Sequence, residues 1–570
     1  MAITEQSGTE PDHPALESPV EEHHVSGSLD RVVFGVTAVL ALGFLVWGFV
    51  DTSSLSSASS SALEWTETTM GWLFVLTASA FVFFVIWLAM GRFGDIPLGN
   101  DDEQPEFSTV SWIAMMFSAG MGIGLMFYGV SEPLSHFVTP PPGTGGEESS
   151  EAVQSAMATT LFHWTLHPWA IYAVVGIAIA YGVYRKGRPH LISSAFTSLI
   201  GKERADGPAG RVIDILAIFA TLFGSAASLG LGALQIGSGL EIVGWVGTVG
   251  NAVLVSIIAV LTCAFIASAV SGVAKGIQWL SNTNMVLAIG LAAFVFVVGP
   301  TVFMLDLVPT AVGSYFQDLA MMSARTEASG GDEMADWLST WTVFYWAWWM
   351  SWTPFVGMFI ARISRGRTIR QFVTGVLLVP SLVSLVWFAI FGGAAIHLQR
   401  GGTDLGGEDS PEGQLFGMLD QLPLATVTAI VVMLLVAIFF VSGADAASIV
   451  MGTLSERGTL HPSRWTVVFW GVATGGVAAV MLLVGDGDSA LTGLQNITIV
   501  AALPFAVVMI GLCFALVKDL RADPLMVRRQ YGAAAVEHAV VRGVTRHGDE
   551  FSLTVEEKAE RPGQPEQPRH

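Results

Sequence analysis

Long apolar runs recur along the whole chain, and they constrain its fold more than any other feature. Twelve stretches are long and apolar enough to cross roughly 30 Å of hydrocarbon; they lie near residues 32–50, 70–91, 110–131, 159–183, 212–240, 252–271, 284–305, 336–361, 371–398, 423–451, 465–485 and 495–517. Only 13% of the 570 residues are charged, too few to cover a soluble protein of this size. The sequence predicts an all-α integral membrane protein.

The distribution of Lys and Arg tests that count independently. If both termini are inside, all of the 26 Lys and Arg residues except Arg325 and Arg400 fall in inner segments, as the positive-inside rule requires. This supports twelve spans with both termini in the cytoplasm. Of the longer outer segments, 306–335 has the apolar spacing of an amphipathic helix, whereas 399–422 is rich in Gly and acidic residues and is predicted to be irregular.

Glycine interrupts the third span. Residues 119–124 read Ala-Gly-Met-Gly-Ile-Gly, and each glycine weakens a helix by roughly 1 kcal/mol relative to alanine. Unwound backbone persists in a membrane only where it is buried in protein or lines a polar cavity. One interpretation is therefore a broken helix whose backbone contacts an ion and a substrate. The alternative is close helix packing through small residues.

Tryptophan is concentrated in the eighth span. Six of the 18 Trp residues lie from Trp337 to Trp352. The first two, Trp337 and Trp341, suit the aromatic belt at a membrane interface. The others lie deeper, about two to three helical turns into the span.

The deeper tryptophans and three aromatic residues of the fourth span form a candidate binding cluster. Its members are Trp348, Trp349, Trp352, Trp164, Trp169 and Tyr172. Ring faces attract a quaternary ammonium cation, which cannot exchange hydrogen bonds, by about 2 kcal/mol or more per desolvated contact. The cluster therefore indicates a site for such a cation, with simple packing as the alternative for any single Trp.

Hydroxyl groups inside spans are candidate ligands for a small hard cation such as Na⁺. Thr221 and Ser225 share one face of the fifth span, and Ser442 lies in the tenth. Such side chains also bond their own backbone, which is the alternative. His163 and His167 are spaced to relay protons, but a pair of histidines without a third ligand favours a structural role.

Signatures of an enzyme are absent from the sequence. There is no Walker motif, and no coherent nucleophile or metal-hydrolase motif. We therefore expect no enzyme activity, no cofactor and no nucleic-acid partner.

Several motifs together resemble the betaine–choline–carnitine transporter family. They are segment 119–129 followed by Glu132-Pro133, the pair His163-Trp164, the tryptophan run 346–352 and segment 361–367. The resemblance runs from the first span to the twelfth and leaves out the tails. The tryptophan motif is highly specific, and the glycine motif is specific in combination.

The resemblance implies a LeuT-type fold, in which two extra helices precede two five-helix inverted repeats. The expected divisions are an acidic cytoplasmic tail (1–30), two extra transmembrane helices (31–92), the first repeat (108–306), an outer amphipathic helix (307–335), the second repeat (336–518) and a cytoplasmic C-terminal tail (519–570). The resemblance also implies a homotrimer in the lipid bilayer of a bacterial inner (cytoplasmic) membrane, with segment 309–325 at the subunit contacts.

Individual residues also acquire implied roles. The substrate would meet Trp348, Trp349, Trp352, Trp164, Trp169 and Tyr172, with Ala119, Gly120, Met121, Gly122 and Gly124 nearby. Phe127 and Phe355 would be aromatic gates. Na⁺, as the coupling ion, would occupy two sites: Ser118, Met121, Phe439 and Ser442 at one, and Thr221, Ser225, Met121 and Phe355 at the other.

Two glycines bear on coupling and substrate. Gly443 stands where sodium-coupled relatives often carry a second hydroxyl residue, so one side-chain ligand is lost. Gly124 stands where choline carriers tend to place Asp, which favours a zwitterion. The resulting expectation is Na⁺ symport of glycine betaine by alternating access, with ectoine and proline next and carnitine last.

Other functions stay open. Gly443 keeps proton-coupled uptake or ion-independent exchange of ectoine, proline, choline or carnitine as an alternative. A membrane osmosensor or receptor would need a signalling domain, and the tails contain none that is recognisable. A channel would need a pore-loop filter or a ring of charges, neither of which is recognisable.

Overall fold

The computed structural model describes residues 28–120, 122–271, 274–408, 410–485 and 490–554, with the backbone alone for 117–120, 270–271 and 274–281. Within these ranges the regular secondary structure is helical, apart from an isolated β-bridge between Pro97 and Thr368. The predicted all-α class is therefore confirmed. The helices are α1 (Arg31–Val50), α2 (Thr52–Met90), α3 (Thr109–Gly120), α4 (Ile123–Val138), α5 (Ser150–Trp164), α6 (Leu166–Ala180), α7 (Thr197–Ile200), α8 (Lys202–Ala205), α9 (Pro208–Ile242), α10 (Asn251–Ser271), α11 (Ala274–Val298), α12 (Thr301–Ser323), α13 (Glu327–Leu338), α14 (Phe344–Arg362), α15 (Ile369–Arg400), α16 (Pro411–Asp420), α17 (Ala425–Ser455), α18 (Arg464–Gly485), α19 (Ala490–Arg521) and α20 (Pro524–His547).

Most predicted spans coincide with helices that could cross a membrane. Of the described helices, eight are long and apolar enough by themselves, and the continuous segment Ser150–Arg185, which holds α5 and α6, is a ninth candidate span. α11 with α12 passes the same test across a bend of 109°. The two remaining predicted spans fall on α3 with α4, which is broken, and on α14, which is rich in tryptophan. The count of twelve, the orientation of the termini, the LeuT-type repeats and the expected divisions of the chain stay predictions.

Two predicted segments differ from the structure. The second span was expected at 70–91, but α2 is 39 residues long and begins at Thr52. The prediction missed its first turns because they are rich in serine and therefore not apolar. Segment 399–422 was expected to be irregular, and this is wrong for Pro411–Asp420, which forms α16. The hydroxyl of Ser410 caps that helix by accepting from the N–H of Gly413 at 3.2 Å.

The centre of the molecule is built around α14. This helix packs against α6 and α9, α17 packs against α9, and α4 packs against α5 and α15. Nearly every residue of α14 is buried, which is typical of a helix that is apolar on all sides. The packing brings the aromatic residues of α14 and α6 and the hydroxyl residues of α9 and α17 to the interior.

Two loops predicted on the inner side are tied together by backbone hydrogen bonds. The N–H of Leu98 donates to the carbonyl of Arg367 at 2.8 Å, and the N–H of Ile369 donates to the carbonyl of Ile96 at 3.0 Å. Arg185 joins this region through an ion pair with Asp101 at 2.8 Å. These hydrogen bonds therefore hold the connection after α2 against the connection between α14 and α15.

Residues 518–554 belong to a separate compact unit. Its helix α20 is capped by Asp523, whose carboxylate accepts from the N–H of Leu525 at 2.9 Å. The chain then returns, and Phe551 packs on α20 at Gly543.

Candidate functional site

The predicted interruption of the third span lies between α3 and α4. α3 ends at Gly120, α4 begins at Ile123, and Gly122 between them is extended, with φ −166° and ψ −179°. Met121 lies outside the described residues, and the side chains of Ser118 and Ala119 are not described. The first N–H groups of a helix have no partner within it, so the start of α4 presents backbone donors to its surroundings.

Five aromatic rings predicted to bind substrate come together. Trp348 and Trp349 stack with centroids 4.6 Å apart and planes inclined by 16°. Trp164 meets Trp349 edge to face at 4.9 Å, and Tyr172 lies 6.3 Å from the same ring. Trp169 packs on Tyr172 at 5.3 Å. These rings line one cavity together with Trp352, Gly122 and Gly124, and we call it the aromatic cavity.

The indole N–H groups of the stacked pair point into the protein. Trp348 Nε1 donates to the hydroxyl of Ser228 at 3.2 Å, and Trp349 Nε1 donates to the carbonyl of His163 at 3.0 Å. Because both donors already have acceptors, the two residues give the cavity aromatic surface without an unpaired N–H group. This arrangement suits a cation that can accept no hydrogen bond.

Gly124 sets the approach of α4 to these rings. A Cβ atom at this position would lie 2.7 Å from Cη2 of Trp348 and 2.9 Å from Cη2 of Trp164. A Cβ atom at Gly122 would have no such neighbour within 4 Å. A larger residue at position 124 would therefore displace the indoles, whereas one at position 122 would not.

A second cavity adjoins the first and shares Gly122, Trp352 and Val356 with it. Its side-chain polar lining comes from Ser225, Ser228, Asn284 and Ser442, and we call it the hydroxyl cavity. Four of the residues predicted to contact Na⁺ line it: Ser225, Phe355, Phe439 and Ser442.

Thr221 and Ser442, two of the hydroxyl residues predicted to contact Na⁺, differ in what they contact. Thr221 is buried and donates to the carbonyl of Ala217 at 2.8 Å, and it is not among the described residues that line the hydroxyl cavity. Ser442 also donates within its own helix, to the carbonyl of Ile438 at 2.8 Å, but it does line the cavity. A hydroxyl that donates its proton keeps lone pairs for a cation, so Ser442 remains a competent ligand there.

The two predicted gate residues occupy different places. Phe355 packs edge to face on Trp352 at 5.6 Å and lines the hydroxyl cavity. Phe127 is fully buried and packs on Tyr128 at 4.8 Å, and it is not among the described residues that line either cavity. A gating role for either residue stays a prediction.

Comparison with known proteins shows the family of this chain. The sequence profile described as BCCT, betaine/carnitine/choline family transporter, matches residues 32–525. The chain belongs to this family. It is 48% identical over 547 residues to the betaine/ectoine transporter LcoP of Corynebacterium glutamicum, covering 95% of this chain and 86% of LcoP.

Two further relatives of this BCCT chain cover most of it. The glycine betaine transporter OpuD of Bacillus subtilis is 44% identical over 493 residues, which cover 86% of this chain and 94% of OpuD. The osmo-dependent choline transporter BetT2 of Acinetobacter baylyi is 38% identical over 516 residues, covering 88% of this chain and 73% of BetT2. The predicted family is thus confirmed, and the chain is a multi-pass membrane protein of a transporter family.

Sequence reasoning did not assign a role to Glu132 of this BCCT chain. Its side chain is completely buried and accepts hydrogen bonds from Trp164, His163 and Tyr345. His163 therefore pairs with Glu132 of α4, whereas His167 stacks on Trp346 at 4.9 Å. An acidic residue in or directly beside a membrane span is by default a functional candidate. Glu132 directly follows the predicted third span, and this signal could have singled it out.

Glu132, His136 and His163 also have the composition of a metal site. One potential ligand atom from each lies within 4.8 Å of the other two. However, Glu132 Oε1 and His163 Nδ1 are 2.6 Å apart, which is the distance of a hydrogen bond that shares a proton. The contacts thus favour a hydrogen-bonded network over metal coordination.

Asn284 is a second residue that sequence reasoning missed in this BCCT chain. It lies on α11, is only 3% exposed and lines the hydroxyl cavity. Its Oδ1 has no hydrogen-bond partner among the described residues, and an unpaired buried acceptor costs about 1–3 kcal/mol. This amide oxygen is a candidate ligand for a cation in the cavity, and no periodicity in the sequence marks it.

Proposed function

We propose that the chain imports glycine betaine, or a closely related compatible solute, together with Na⁺ by alternating access. The observation that carries the proposal is the aromatic cavity, which Trp348 and Trp349 line while their N–H groups donate to Ser228 and to the carbonyl of His163. A trimethylammonium head offers positive charge and methyl groups but no hydrogen-bonding atom. Aromatic faces are the protein surface that binds such a head best.

The start of α4 can bind the carboxylate of a betaine. Gly122 lines both cavities, and the N–H groups of the first helical turn follow it. Such groups, together with the positive end of the helix dipole, stabilise an anion. The absence of a side chain at Gly124 leaves no carboxylate there to balance a net cation, which favours a zwitterion over choline.

The relatives support the same class of substrate. The names of LcoP and OpuD specify betaine with ectoine and glycine betaine respectively, and that of BetT2 specifies choline. We therefore place glycine betaine first and ectoine second, and proline, choline and carnitine behind them.

Sodium coupling is assigned to the hydroxyl cavity. Na⁺ prefers oxygen ligands, and the hydroxyls of Ser225 and Ser442 line this cavity near the amide of Asn284. The backbone at Phe355 and Phe439 adds carbonyl oxygens in this proposal. Gly443, which also lines the cavity, contributes no side-chain oxygen and keeps proton coupling as the second candidate.

We also propose the membrane topology, the fold and the oligomeric state. The BCCT chain spans the inner membrane twelve times with both termini in the cytoplasm, as the distribution of Lys and Arg supports. Its two repeats have the LeuT-type arrangement. Three copies associate, with α12 at their contacts.

The decisive experiment is uptake of radiolabelled glycine betaine into proteoliposomes under an inward Na⁺ gradient or an equal K⁺ gradient. Uptake that requires Na⁺ and is lost in Trp352→Ala is the expected result. Strong uptake in K⁺ would remove the sodium assignment and leave the aromatic cavity standing. Failure to take up betaine in either gradient, with uptake of ectoine or proline instead, would overturn the choice of substrate.

A further inference from the structure

Glu132 of α4 forms hydrogen bonds to α5 and α14 beside the aromatic cavity. Its Oε2 accepts from Trp164 Nε1 at 2.5 Å and from the hydroxyl of Tyr345 at 2.5 Å. Its Oε1 accepts from His163 Nδ1 at 2.6 Å. Trp164 lines the aromatic cavity, and Tyr345 stacks on Trp349 at 5.8 Å. The carboxylate therefore lies directly behind the rings that a ligand would touch.

The donors around Glu132 suit an ionised carboxylate. An indole N–H can only donate, so Trp164 requires an acceptor. His163 Nε2 lies 3.0 Å from the hydroxyl of Thr342; with that hydroxyl donating, the ring proton stays on Nδ1 and points at Glu132. Three donors on two oxygens is a pattern that a carboxylate satisfies without carrying a proton.

Among the described residues, the basic groups within ion-pair distance of this carboxylate are histidine nitrogens. His136 Nε2 is 3.5 Å from Oε1, and the guanidinium of Arg325 lies over the ring of Trp337, 5.1 Å from its centroid. In the described part of the chain, Glu132 forms no ion pair with Lys or Arg. Its charge is therefore available to a cation on the other side of the indoles.

We propose that Glu132 is the counter-charge of the aromatic cavity and sets its preference for a cationic head. A carboxylate that accepts from the indole N–H of Trp164 increases the electron density of that ring. The ring face then attracts a trimethylammonium group more strongly, and the carboxylate adds its own field. Glu132 is thus a specificity-determining residue that acts through Trp164 and Tyr345 without touching the ligand. This inference rests on the proposed function, since it presupposes an ammonium ligand.

The test compares two ligands of the same shape. Glycine betaine carries a trimethylammonium head, and the anion of tert-butylacetic acid replaces its nitrogen by carbon. Both are titrated against purified, full-length protein, with binding followed by intrinsic tryptophan fluorescence. In Glu132→Gln we expect the preference for betaine over the analogue to fall about tenfold, the order expected for one carboxylate charge several ångströms away at protein dielectric.

Matched variants separate charge from structure. Gln has nearly the shape of Glu and can accept from Trp164 and Tyr345, while His163 adopts its other tautomer. Tyr345→Phe removes one donor and keeps the charge, so the preference should stay within about twofold of wild type. Glu132→Asp also keeps the charge, and it should weaken both ligands while retaining the preference.

Equal weakening of both ligands in Glu132→Gln, with the preference unchanged, would overturn the proposal, because Glu132 would then be only structural. Loss of the preference in Glu132→Asp would overturn it as well, and that variant decides the question if the Gln protein does not fold. If wild-type protein fails to bind betaine at all, the proposed function is what fails.

Discussion

Trp352 Nε1 donates to the carbonyl of Gly224 at 2.8 Å, which joins α14 to α9 where the two cavities meet. Trp352 lines both cavities, and Ser225, the next residue on α9, lines the hydroxyl cavity. A Cβ atom at Gly224 would overlap Oγ of Ser351 and would lie 2.9 Å from Cδ1 of Trp352, so the two helices pack closely here. This contact therefore belongs to the walls of both cavities.

Gly124 and Gly122 provide a matched pair of substitutions. Gly124→Ala should raise KM for glycine betaine about tenfold, because its methyl group would overlap the indoles of Trp348 and Trp164 and overpacking typically costs 1–3 kcal/mol. Gly122→Ala would overlap no atom of the described residues, so it should raise KM less than Gly124→Ala does. Proteoliposome uptake measures both. An equal effect of the two variants would argue against crowding of the rings.

Trp349 should contribute more to substrate binding than its neighbour Trp346. Trp349→Ala removes a ring face and should weaken binding about thirtyfold, which corresponds to about 2 kcal/mol for a desolvated cation–π contact. Trp349→Phe should recover part of this. Trp346 is equally buried but stacks on His167, so Trp346→Phe serves as the control. Betaine titration by calorimetry checks the order, and a larger loss in Trp346→Phe would contradict it.

The hydroxyl cavity should control the response to Na⁺. Ser442→Ala and Ser225→Ala should each raise the Na⁺ concentration for half-maximal uptake several-fold, because each removes a cavity oxygen worth about 1 kcal/mol. Ser448→Ala is the control on α17, since Ser448 donates to the carbonyl of Ala444 at 2.5 Å and is not among the described lining residues. Thr221→Ala, like Ser448→Ala, should raise this Na⁺ concentration less than Ser442→Ala and Ser225→Ala do. Na⁺ titration of uptake separates these cases, and equal shifts in all four variants would point to a general loss of structure.

Asp30 should stabilise the start of α1 in a pH-dependent way. Burial opposes ionisation of Asp30, but hydrogen bonds from the N–H groups of Val33 and Val32 and the nearby Arg211 outweigh it, so its pKa lies below the ordinary 3.8. A lowered pKa means that the stabilisation is complete above about pH 4 and is lost as the pH falls through the folded-state value. Asp30→Ala should therefore lower the Tm at pH 7, where a helix cap contributes about 1 kcal/mol.

A second substitution of Asp30 separates helix capping from charge in the same thermal unfolding measurements. Asp30→Asn can still cap α1 but loses the ion pair with Arg211, whose Nε lies 3.2 Å from Asp30 Oδ2. Its Tm should lie between those of wild type and Asp30→Ala. The gap between wild type and Asp30→Asn should close as the pH falls below the ordinary pKa. A gap that stayed constant even below the folded-state pKa, where Asp30 is protonated, would show that the charge of Asp30 does not contribute.

The sequence by itself determined the class of fold and the family, because both depend on local patterns. Runs of apolar residues predict helices in lipid since the backbone must satisfy its own hydrogen bonds there. The glycine run at 119–124 likewise located the break before α4, because the cost of glycine in a helix is local. The tryptophan spacing in α14 placed Trp348 and Trp352 on one face.

Only the tertiary structure decided which of these residues meet. His163 pairs with Glu132, 31 residues away, instead of with His167, and Asn284 of α11 lines the cavity of Ser225 and Ser442. Thr221 shares a helix face with Ser225, yet it bonds its own backbone. Periodicity tells which face of a helix a residue occupies, but the partner of that face depends on how distant helices pack, and no local pattern records that packing.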